Sequence, residues 1–245
     1  MQRDIKKYTQ TYMHHDFEHV LVKYRKNEVL KWLAHYKPAK ILEVGCGLDP
    51  IFQYYSSFDN FYCVEPSDEF FVHAKELAEA FSRVSIRHGF IEDWADELAT
   101  KNIDFIIISA LLHEVIDIDN FIEKIKSICT ENTVVHIDVP NALSFHRLWA
   151  YEAGLTSDPF ALSETSIALQ QNRTFSLTTL CDFIEQSGFR ILDKGSFFIK
   201  PFNHEKMTQC IKREIIDSAL LDGLSKMIKY MPDYGCEIFA NCRIN

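Results

Sequence analysis

The sequence lacks the features that mark several classes of protein. Its seven cysteines form no C-x-x-C pair and no metal-finger spacing, so we expect reduced thiols and no metal site. The first residues contain no apolar core of the kind found in export signals, and the uninterrupted apolar runs are far too short to cross a bilayer. These absences predict a cytoplasmic globular protein without a membrane span, and they leave its oligomeric state open.

The composition is that of a chain that can bury a large core. The 245 residues are 47% hydrophobic and 25% charged, which excludes disordered and fibrous classes. The net charge is −9, and residues 41–139 carry six basic side chains against nineteen acidic ones. Because nucleic-acid surfaces need clustered Lys and Arg, we expect no nucleic-acid partner. Residues 1–40 are basic, with nine basic side chains against four acidic ones, which is more typical of a solvated helix face than of an anion site.

Short β-type runs alternate with helical stretches between residues 40 and 139. The runs are KILEV, FYCVE, VSIRH, IDFIIIS and TVVHIDV, and we expect a helix in every interval, starting near Asp68, Trp94 and Asp119 in the last three. Strands separated by helices form right-handed crossovers, so the pattern predicts a doubly wound, mainly parallel α/β sheet with helices on both faces. The isoleucine-rich fourth run is typical of a buried central strand.

The segments on either side of this pattern are mostly helical. Residues 1–37 form an N-terminal helical segment that ends before Pro38. Tyr12, His14 and His15 are candidates for a lid in this segment, although a flexible terminus is the favoured alternative. Residues 38–245 form one domain, with helical insertions at about 140–175 and 201–234. Within the first insertion, we expect residues 156–175 to form a polar loop.

The end of the chain predicts one more helix and the last strands. Ser176 is a typical N-cap and Gly188 a typical C-cap for the helix between them. FRILDKGSFFIKPF then predicts one or two strands, and CEIFANCRI predicts the final strand.

Chemically capable residues follow the ends of the first four predicted strands. The first strand ends in a glycine turn, Glu43-Val44-Gly45-Cys46-Gly47, which lets the backbone approach a ligand. A dinucleotide fingerprint would need a third glycine where Pro50 stands, so a pyrophosphate is disfavoured. Glu65 closes the second strand and can accept both hydroxyls of a ribose.

The third and fourth strands end in further acidic and basic groups. Gly89-Phe90-Ile91-Glu92 offers a carboxylate for an adenine amine beside a backbone N–H, although Glu92 and Asp93 are both also candidates to cap the next helix. Ser109 ends the fourth strand, shortly before His113 and Glu114. The carboxyl ends of parallel strands share one edge, so we expect all these groups around one site.

In this order the motifs resemble the class I, Rossmann-like S-adenosylmethionine-dependent methyltransferases. The matching elements are E-x-G-x-G at 43–47, the acid at 65, G-x-apolar-E at 89–92 and LLHEV at 111–115. The resemblance covers roughly residues 38–140, and the tail is similar to the family's last helix and two strands. It implies a seven-stranded sheet with the last strand antiparallel, and insertions that form a substrate cap.

The resemblance also implies roles for individual residues. The methionine part of the cofactor would contact the glycine turn, Glu43 would steady that turn, Glu65 would hold the ribose, and Pro66 would stiffen the ribose turn. The residues implied in cofactor binding are Glu43, Gly45, Cys46, Gly47, Glu65, Pro66, Ile91, Glu92 and Ser109. The family often has a third glycine where this chain has Asp49.

The implied reaction is methyl transfer by in-line displacement, from S-adenosylmethionine to a small-molecule, glycan-precursor or lipid-precursor acceptor, with S-adenosylhomocysteine as product. O- or N-methylation is expected. His113 is the candidate base, because an ordinary histidine pKa suits proton abstraction at neutral pH; the alternative is a histidine hydrogen-bonded at a helix start.

His146, Arg147 and Arg173 are candidates to bind the substrate, or else are solvated. Together with Phe145, Trp149 and Lys200 they favour a partly apolar, partly anionic acceptor.

Two other functions remain open on the residues alone. A nicotinamide-dependent oxidoreductase has the same sheet class and a ribose acid like Glu65, although Glu43 and the missing third glycine argue against it. A scaffold that binds the cofactor without catalysis is the other, because methyl transfer needs few obligate side chains.

Overall fold

The computed structural model describes residues 4–13 and 17–245 and contains one seven-stranded mixed sheet. Its spatial order is β3-β2-β1-β4-β5-β7-β6, and β7 alone runs antiparallel to the others. The strands are β1 (Lys40–Val44), β2 (Asn60–Glu65), β3 (Val84–His88), β4 (Phe105–Ser109), β5 (Val134–Pro140), β6 (Phe189–Phe197) and β7 (Glu237–Ile244). This confirms the predicted parallel sheet and its antiparallel last strand.

The described residues contain ten α-helices around the sheet. They are α1 (Ile5–Met13), α2 (Glu18–Tyr36), α3 (Asp68–Ala78), α4 (Ile91–Ala99), α5 (Ile118–Ile128), α6 (Phe145–Glu152), α7 (Glu164–Ala168), α8 (Leu177–Gln186), α9 (His204–Lys212) and α10 (Ser218–Lys226). Apolar side chains of α2 and α3 form one core layer, and those of α4, α5 and α8 form the other. Helices therefore cover both faces, as predicted. No helix of the described residues is long and apolar enough to cross a bilayer.

The connection between β1 and β2 corrects a prediction. Instead of a helix it contains a single 3-10 turn, Ile51–Gln53, which follows Pro50. Ile51 and Phe52 are buried in the core layer that α2 also fills with Val29 and Leu33. Because α2 already covers this face of the sheet, the connection is filled by a buried turn rather than by a crossover helix.

Other local features match the sequence more closely. The apolar residues of β4 are completely buried, as expected for a central strand. The Ser176 side chain accepts a hydrogen bond from the Thr179 N–H and caps α8, and Gly188 follows that helix with a positive φ of 87°. β6 is one strand with an irregularity between Ile191 and Asp193. Helix α4 begins at Ile91, three residues before the predicted start, and the predicted polar loop contains α7.

Candidate functional site

A cavity of about 1670 Å³ lies at the carboxyl ends of the parallel strands. Its floor comes from the ends of β1, β2 and β4 and the turn after β3. Its walls come from α1, α2, the segment around α6 and α7, and residues 200–206. This is the edge at which ligands bind in open α/β sheets, and the sequence predicted it.

The glycine turn after β1 lies open to the cavity. Gly45 and Gly47 have φ angles of 76° and 57°, in the left-handed region that favours glycine. The Gly45 N–H donates to the Val64 carbonyl oxygen at 2.8 Å, which holds the turn against β2. A Cβ atom at Gly47 would have no neighbour within 4 Å. The turn thus presents bare backbone to a ligand, and Gly45, Cys46 and Gly47 all line the cavity.

Glu65 connects the turn after β1 with the turn after β2. Its carboxylate is buried and accepts hydrogen bonds from the Gly47 N–H at 3.1 Å and from the Ser67 N–H at 2.9 Å. Burial raises the pKa of Glu65, and these backbone bonds oppose that rise. Pro66 lines the cavity beside it. A carboxylate held by two N–H groups is a preorganised acceptor, which fits a pair of ribose hydroxyls.

Glu43 steadies the segment after the glycine turn. Its Oε2 accepts from the Ile51 N–H at 3.1 Å and lies 3.5 Å from the Cys63 sulfur. Burial raises the pKa of Glu43 to about 8, with nearby Glu65 adding to the rise. The carboxyl group therefore fastens the 3-10 turn at residues 51–53 to the end of β1.

The acids after β3 have different environments. The Asp93 carboxylate accepts from the Phe90 N–H at 3.1 Å and closes the start of α4. Glu92 lines the cavity next to the buried Ile91, and burial raises the pKa of Glu92. A Cβ at Gly89 would lie 3.1 Å from the Asp93 carboxylate. The contact that caps α4 thus belongs to Asp93, and both acids line the cavity.

Asp49, at the position where the resemblance expects a glycine, contacts helix α2. Its carboxylate pairs with Lys26 Nζ at 2.6 Å and accepts from the Tyr54 hydroxyl at 2.5 Å. The Lys26 ammonium also lies 3.5 Å from the centroid of the Tyr54 ring. Asp49, in place of the expected glycine, therefore fastens α2 to the segment that follows the glycine turn.

His113 lies at the same rim as Ser109, in a 3-10 turn, Leu112–Glu114. Its side chain is buried, it lines the cavity, and its Nε2 lies 3.8 Å from Glu114 Oε1. Asn172 donates from its backbone to the His113 carbonyl and from its side chain to the Glu114 carbonyl, at 3.0 and 2.9 Å. The insertion that follows β5 is thereby tied to the candidate base.

A buried ionic cluster on the cavity wall was missed by the sequence analysis. Arg25 Nε donates to Glu237 at 2.9 Å, and its Nη1 donates to Glu18 at 3.0 Å. Its Nε also lies 3.6 Å from Asp138, whose other oxygen is 3.3 Å from His136 Nε2. Burial lowers the pKa of Arg25, but the surrounding carboxylates more than offset this and hold it well above its ordinary value. The cluster joins α2 to the ends of β5 and β7.

The helical periodicity of α2 is the sequence signal that could have indicated this cluster. Glu18, Leu21, Arg25, Val29 and Leu33 recur at helical spacing and are all buried on one face of α2. An arginine in the middle of an apolar stripe needs a buried partner.

The three predicted substrate residues have different surroundings. His146 lines the cavity, its Nδ1 lies 3.0 Å from the Ser144 hydroxyl, and burial next to Lys200 lowers its pKa well below the ordinary value. Arg147 also lines it, but its guanidinium donates to the carbonyls of Pro159 and Ala161. Arg173 is not among the described residues that line the cavity, and its guanidinium lies 3.5 Å from the Ile116 carbonyl.

Aromatic side chains complete the walls. Trp149 of α6 packs against Phe202 with ring centroids 5.5 Å apart. Tyr12 of α1 packs on Phe70 at 6.0 Å, and the Thr9 hydroxyl donates to the Ser67 hydroxyl at 2.9 Å. Helix α1 therefore lies over the Glu65 end of the cavity. His14 and His15, which the sequence suggested for a lid, lie outside the described residues.

Comparisons with known proteins agree with this geometry. Residues 13–194 match a family model described as "Methyltransferase domain". No curated protein matches the chain. A SAM dependent methyltransferase from Archaeoglobus fulgidus is 14% identical, with 94% of this chain and all of that chain covered and a TM-score of 0.58.

Two further solved structures carry ligands. The 1,6-didemethyltoxoflavin-N1-methyltransferase of Burkholderia thailandensis, with 1,6-didemethyltoxoflavin and S-adenosylhomocysteine bound, is 13% identical over 98% of this chain and 88% of its own, with a TM-score of 0.61. The plantazolicin methyltransferase BamL, in complex with a triazolic desmethylPZN analog and S-adenosylhomocysteine, is 15% identical over 98% of this chain and 96% of its own, with a TM-score of 0.57. At these identities the likeness establishes the fold.

The family match covers most of the chain, and it includes the glycine turn, Glu65, Glu92 and His113. An open glycine turn beside a preorganised carboxylate fits an adenosine cofactor with a methionine chain. The chain belongs to the methyltransferase-domain family and is a class I S-adenosylmethionine-dependent methyltransferase.

Proposed function

We propose that the enzyme methylates an oxygen or nitrogen atom of a small molecule that binds between the cofactor turns and the two helical insertions. The observation that carries the proposal is a single cavity lined by the glycine turn, by Glu65, by His113 and by residues of both insertions. In this proposal residues 38–245 form the catalytic domain, 140–175 and 201–234 cap the acceptor, and 1–37 act as a lid.

The proposed cofactor-binding roles are supported by the positions of these residues around the cavity. Glu65 accepts the ribose hydroxyls, while Ile91 and Glu92 flank the adenine at the start of α4. Gly45, Cys46, Gly47 and Ser109 line the methionine side. Two N–H groups already orient the Glu65 carboxylate, so little reorganisation is needed when a ligand binds.

When bound, S-adenosylmethionine supplies an electrophilic methyl group on a sulfonium. The acceptor atom forms a bond to the methyl carbon, the carbon–sulfur bond breaks, and its electron pair stays on sulfur in S-adenosylhomocysteine. The protein aligns the acceptor and excludes water, a contribution that can reach roughly 7–11 kcal/mol of the barrier. His113 accepts the proton that the acceptor loses.

Titration calorimetry tests the cofactor assignment. S-adenosylmethionine, S-adenosylhomocysteine and NAD are titrated into the wild-type protein, Glu65→Ala and Glu69→Ala. Glu69 is an exposed acid of α3 nearby and serves as the matched control. We expect micromolar binding of the two methionine-derived ligands, about 100-fold weaker in Glu65→Ala because two charged hydrogen bonds are lost. Binding of NAD alone would contradict the proposal.

The role of His113 is tested with an acceptor that the enzyme turns over. His113→Gln should lower kcat by about 100-fold or more, the ordinary contribution of a general base, and leave S-adenosylhomocysteine affinity unchanged. An unchanged kcat would make His113 a structural residue.

A further inference from the structure

Lys200 is a buried charge without a charged partner in direct contact. The residue follows β6, is only 5% exposed and lines the cavity. Its ammonium makes no hydrogen bond and no ion pair with any residue in the described parts of the chain, and it lies 5.8 Å from the centroid of the Phe17 ring. Burying an ammonium without such a partner is unfavourable unless a ligand supplies one. The cavity is where such a partner can bind.

Three other cations of the cavity wall are already engaged. The Arg25 guanidinium is paired with Glu18 and Glu237. Arg147 is hydrogen-bonded to the loop carbonyls of Pro159 and Ala161. Lys26 is paired with Asp49. Lys206 also lines the cavity, but it is exposed to solvent. Among the described residues, Lys200 is thus the buried cation of this wall that a ligand can reach without breaking an ion pair or hydrogen bond.

We propose that Lys200 binds a carboxylate of the acceptor, so that the enzyme methylates small molecules that carry one acidic group. The inference rests on the proposed function, because it assigns the acceptor end of the same cavity. Trp149 and Phe202 line the cavity with Lys200 and supply an apolar face for the body of the molecule.

The surroundings favour a single negative charge over a phosphate. Glu18 and Glu237 line the same cavity as Lys200. Burial lowers the pKa of Lys200, and nearby Cys236, Glu18 and Glu237 oppose this. Burial and nearby Lys200 lower the pKa of His146 well below its ordinary value, so this side chain adds no positive charge. Because two carboxylates already line the cavity, a second negative charge on the ligand would add repulsion that Lys200 does not offset.

The experiment uses the full chain with saturating S-adenosylhomocysteine. Hydroxybenzoates and aminobenzoates, their matched primary carboxamides and the corresponding phenyl phosphates are compared by ligand-observed NMR titration. The proteins are wild type, Lys200→Met, which keeps the length of the side chain, and Arg173→Met, which removes a cation outside the cavity.

We expect the wild-type protein to bind carboxylates at least tenfold more tightly than carboxamides. The preference should fall below about twofold in Lys200→Met and persist in Arg173→Met. A preference that survives in Lys200→Met, hits that are mainly neutral or mainly phosphates, or the absence of any carboxylate hit would overturn the proposal. A protein that does not bind S-adenosylhomocysteine would instead contradict the proposed function, and the acid–amide comparison without cofactor would still test Lys200.

Thermal unfolding gives a second test that needs no ligand. If Lys200 serves an acceptor, Lys200→Met removes an uncompensated buried charge and should unfold at an equal or higher temperature. If Lys200 is instead a structural counter-ion of Glu18 and Glu237, the variant should unfold at a clearly lower temperature, which would overturn the proposal.

Discussion

The two ends of the cavity are built from different kinds of structure. The end proposed to bind the cofactor, the cofactor end, consists of short turns after parallel strands, with Glu65 held by the N–H groups of Gly47 and Ser67. The end proposed to bind the acceptor, the acceptor end, consists of side chains from α2, α6 and the segment after β6, including the Arg25 cluster and Lys200. Backbone groups fix one end, and long-range ion pairs fix the other.

This difference in construction indicates which end of the cavity can change from one methyltransferase to another. The geometry of a strand-end turn follows from a few local residues, so it persists when the rest of the chain changes. The acceptor end depends on pairs far apart in sequence, such as Arg25 with Glu237. Insertions can therefore redefine the acceptor while the sheet keeps the cofactor in place.

The largest expected effect is a loss of stability when the Arg25 cluster at the acceptor end is disrupted. Arg25→Met leaves Glu237, Glu18 and Asp138 buried without their cation, and we expect it to lower the free energy of unfolding by about 3–5 kcal/mol. Urea unfolding measures the change. Lys23→Met is the matched control, since its pair with Asp222 is exposed to solvent and contributes little to stability. Adding Glu237→Gln to Arg25→Met should recover part of the loss. A loss below about 1 kcal/mol in Arg25→Met would show that the cluster does not hold α2.

The second prediction concerns the cofactor end and its pH dependence. Glu43 has a pKa of about 8 in the folded protein against an ordinary value of 4.5, so the folded chain holds a proton that the unfolded chain has lost. Stability should therefore fall as the pH rises from about 5 to 8, by at most about 1.4 kcal/mol per pH unit.

Glu43→Gln tests this, because its amide oxygen can still accept from the Ile51 N–H. The variant should show a flatter pH profile in urea unfolding and be more stable than wild type at pH 8. Glu69→Gln, at an exposed site, should retain the wild-type slope. If Glu43→Gln also keeps the full slope, another group carries the pH dependence.

The same contrast explains what could be predicted from the sequence. The glycine turn, Glu65 and the acid after β3 stand at strand ends, and strand ends follow from periodicity and parallel topology. The parallel sheet followed in the same way, the antiparallel last strand was implied by the family resemblance, and both are confirmed. The same reasoning wrongly predicted a helix between β1 and β2, where the structure has the 3-10 turn at residues 51–53. The reason is that α2, a helix distant in sequence, already covers that face of the sheet.

The acceptor end could not be reached in that way. Arg147 and Arg173 have the residue type of anion-binding groups, but only packing decides that one is bonded to loop carbonyls and the other lies outside the cavity. The Arg25 cluster needs the partners of α2 to be known, and these lie on β5 and β7. The periodicity of α2 indicates that Arg25 needs a buried partner, but the local sequence does not identify that partner.

A third prediction, with a smaller effect, tests whether Arg147 holds the loop around Pro159 and Ala161 or binds an anion. Arg147→Met should loosen the loop around Pro159 and Ala161, with a loss of about 1–3 kcal/mol in local stability. Hydrogen exchange of residues 155–162 measures it. The carboxylate preference assigned to Lys200 should persist in this variant. If it disappears while exchange is unchanged, Arg147 and not the loop carries the anion contact.

The smallest expected effect separates two adjacent acids at the cofactor end. Asp93→Ala removes the acceptor for the Phe90 N–H and should cost about 1 kcal/mol of stability, with S-adenosylhomocysteine affinity little changed. Glu92→Gln should do the reverse: burial raises the pKa of Glu92, so losing its charge should not destabilise the fold, whereas affinity for the ligand should fall several-fold. Each variant is the control for the other in paired urea and calorimetric titrations. Equal effects of both variants on affinity would mean that the two acids act together, and that the start of α4 is fixed by the ligand as much as by its cap.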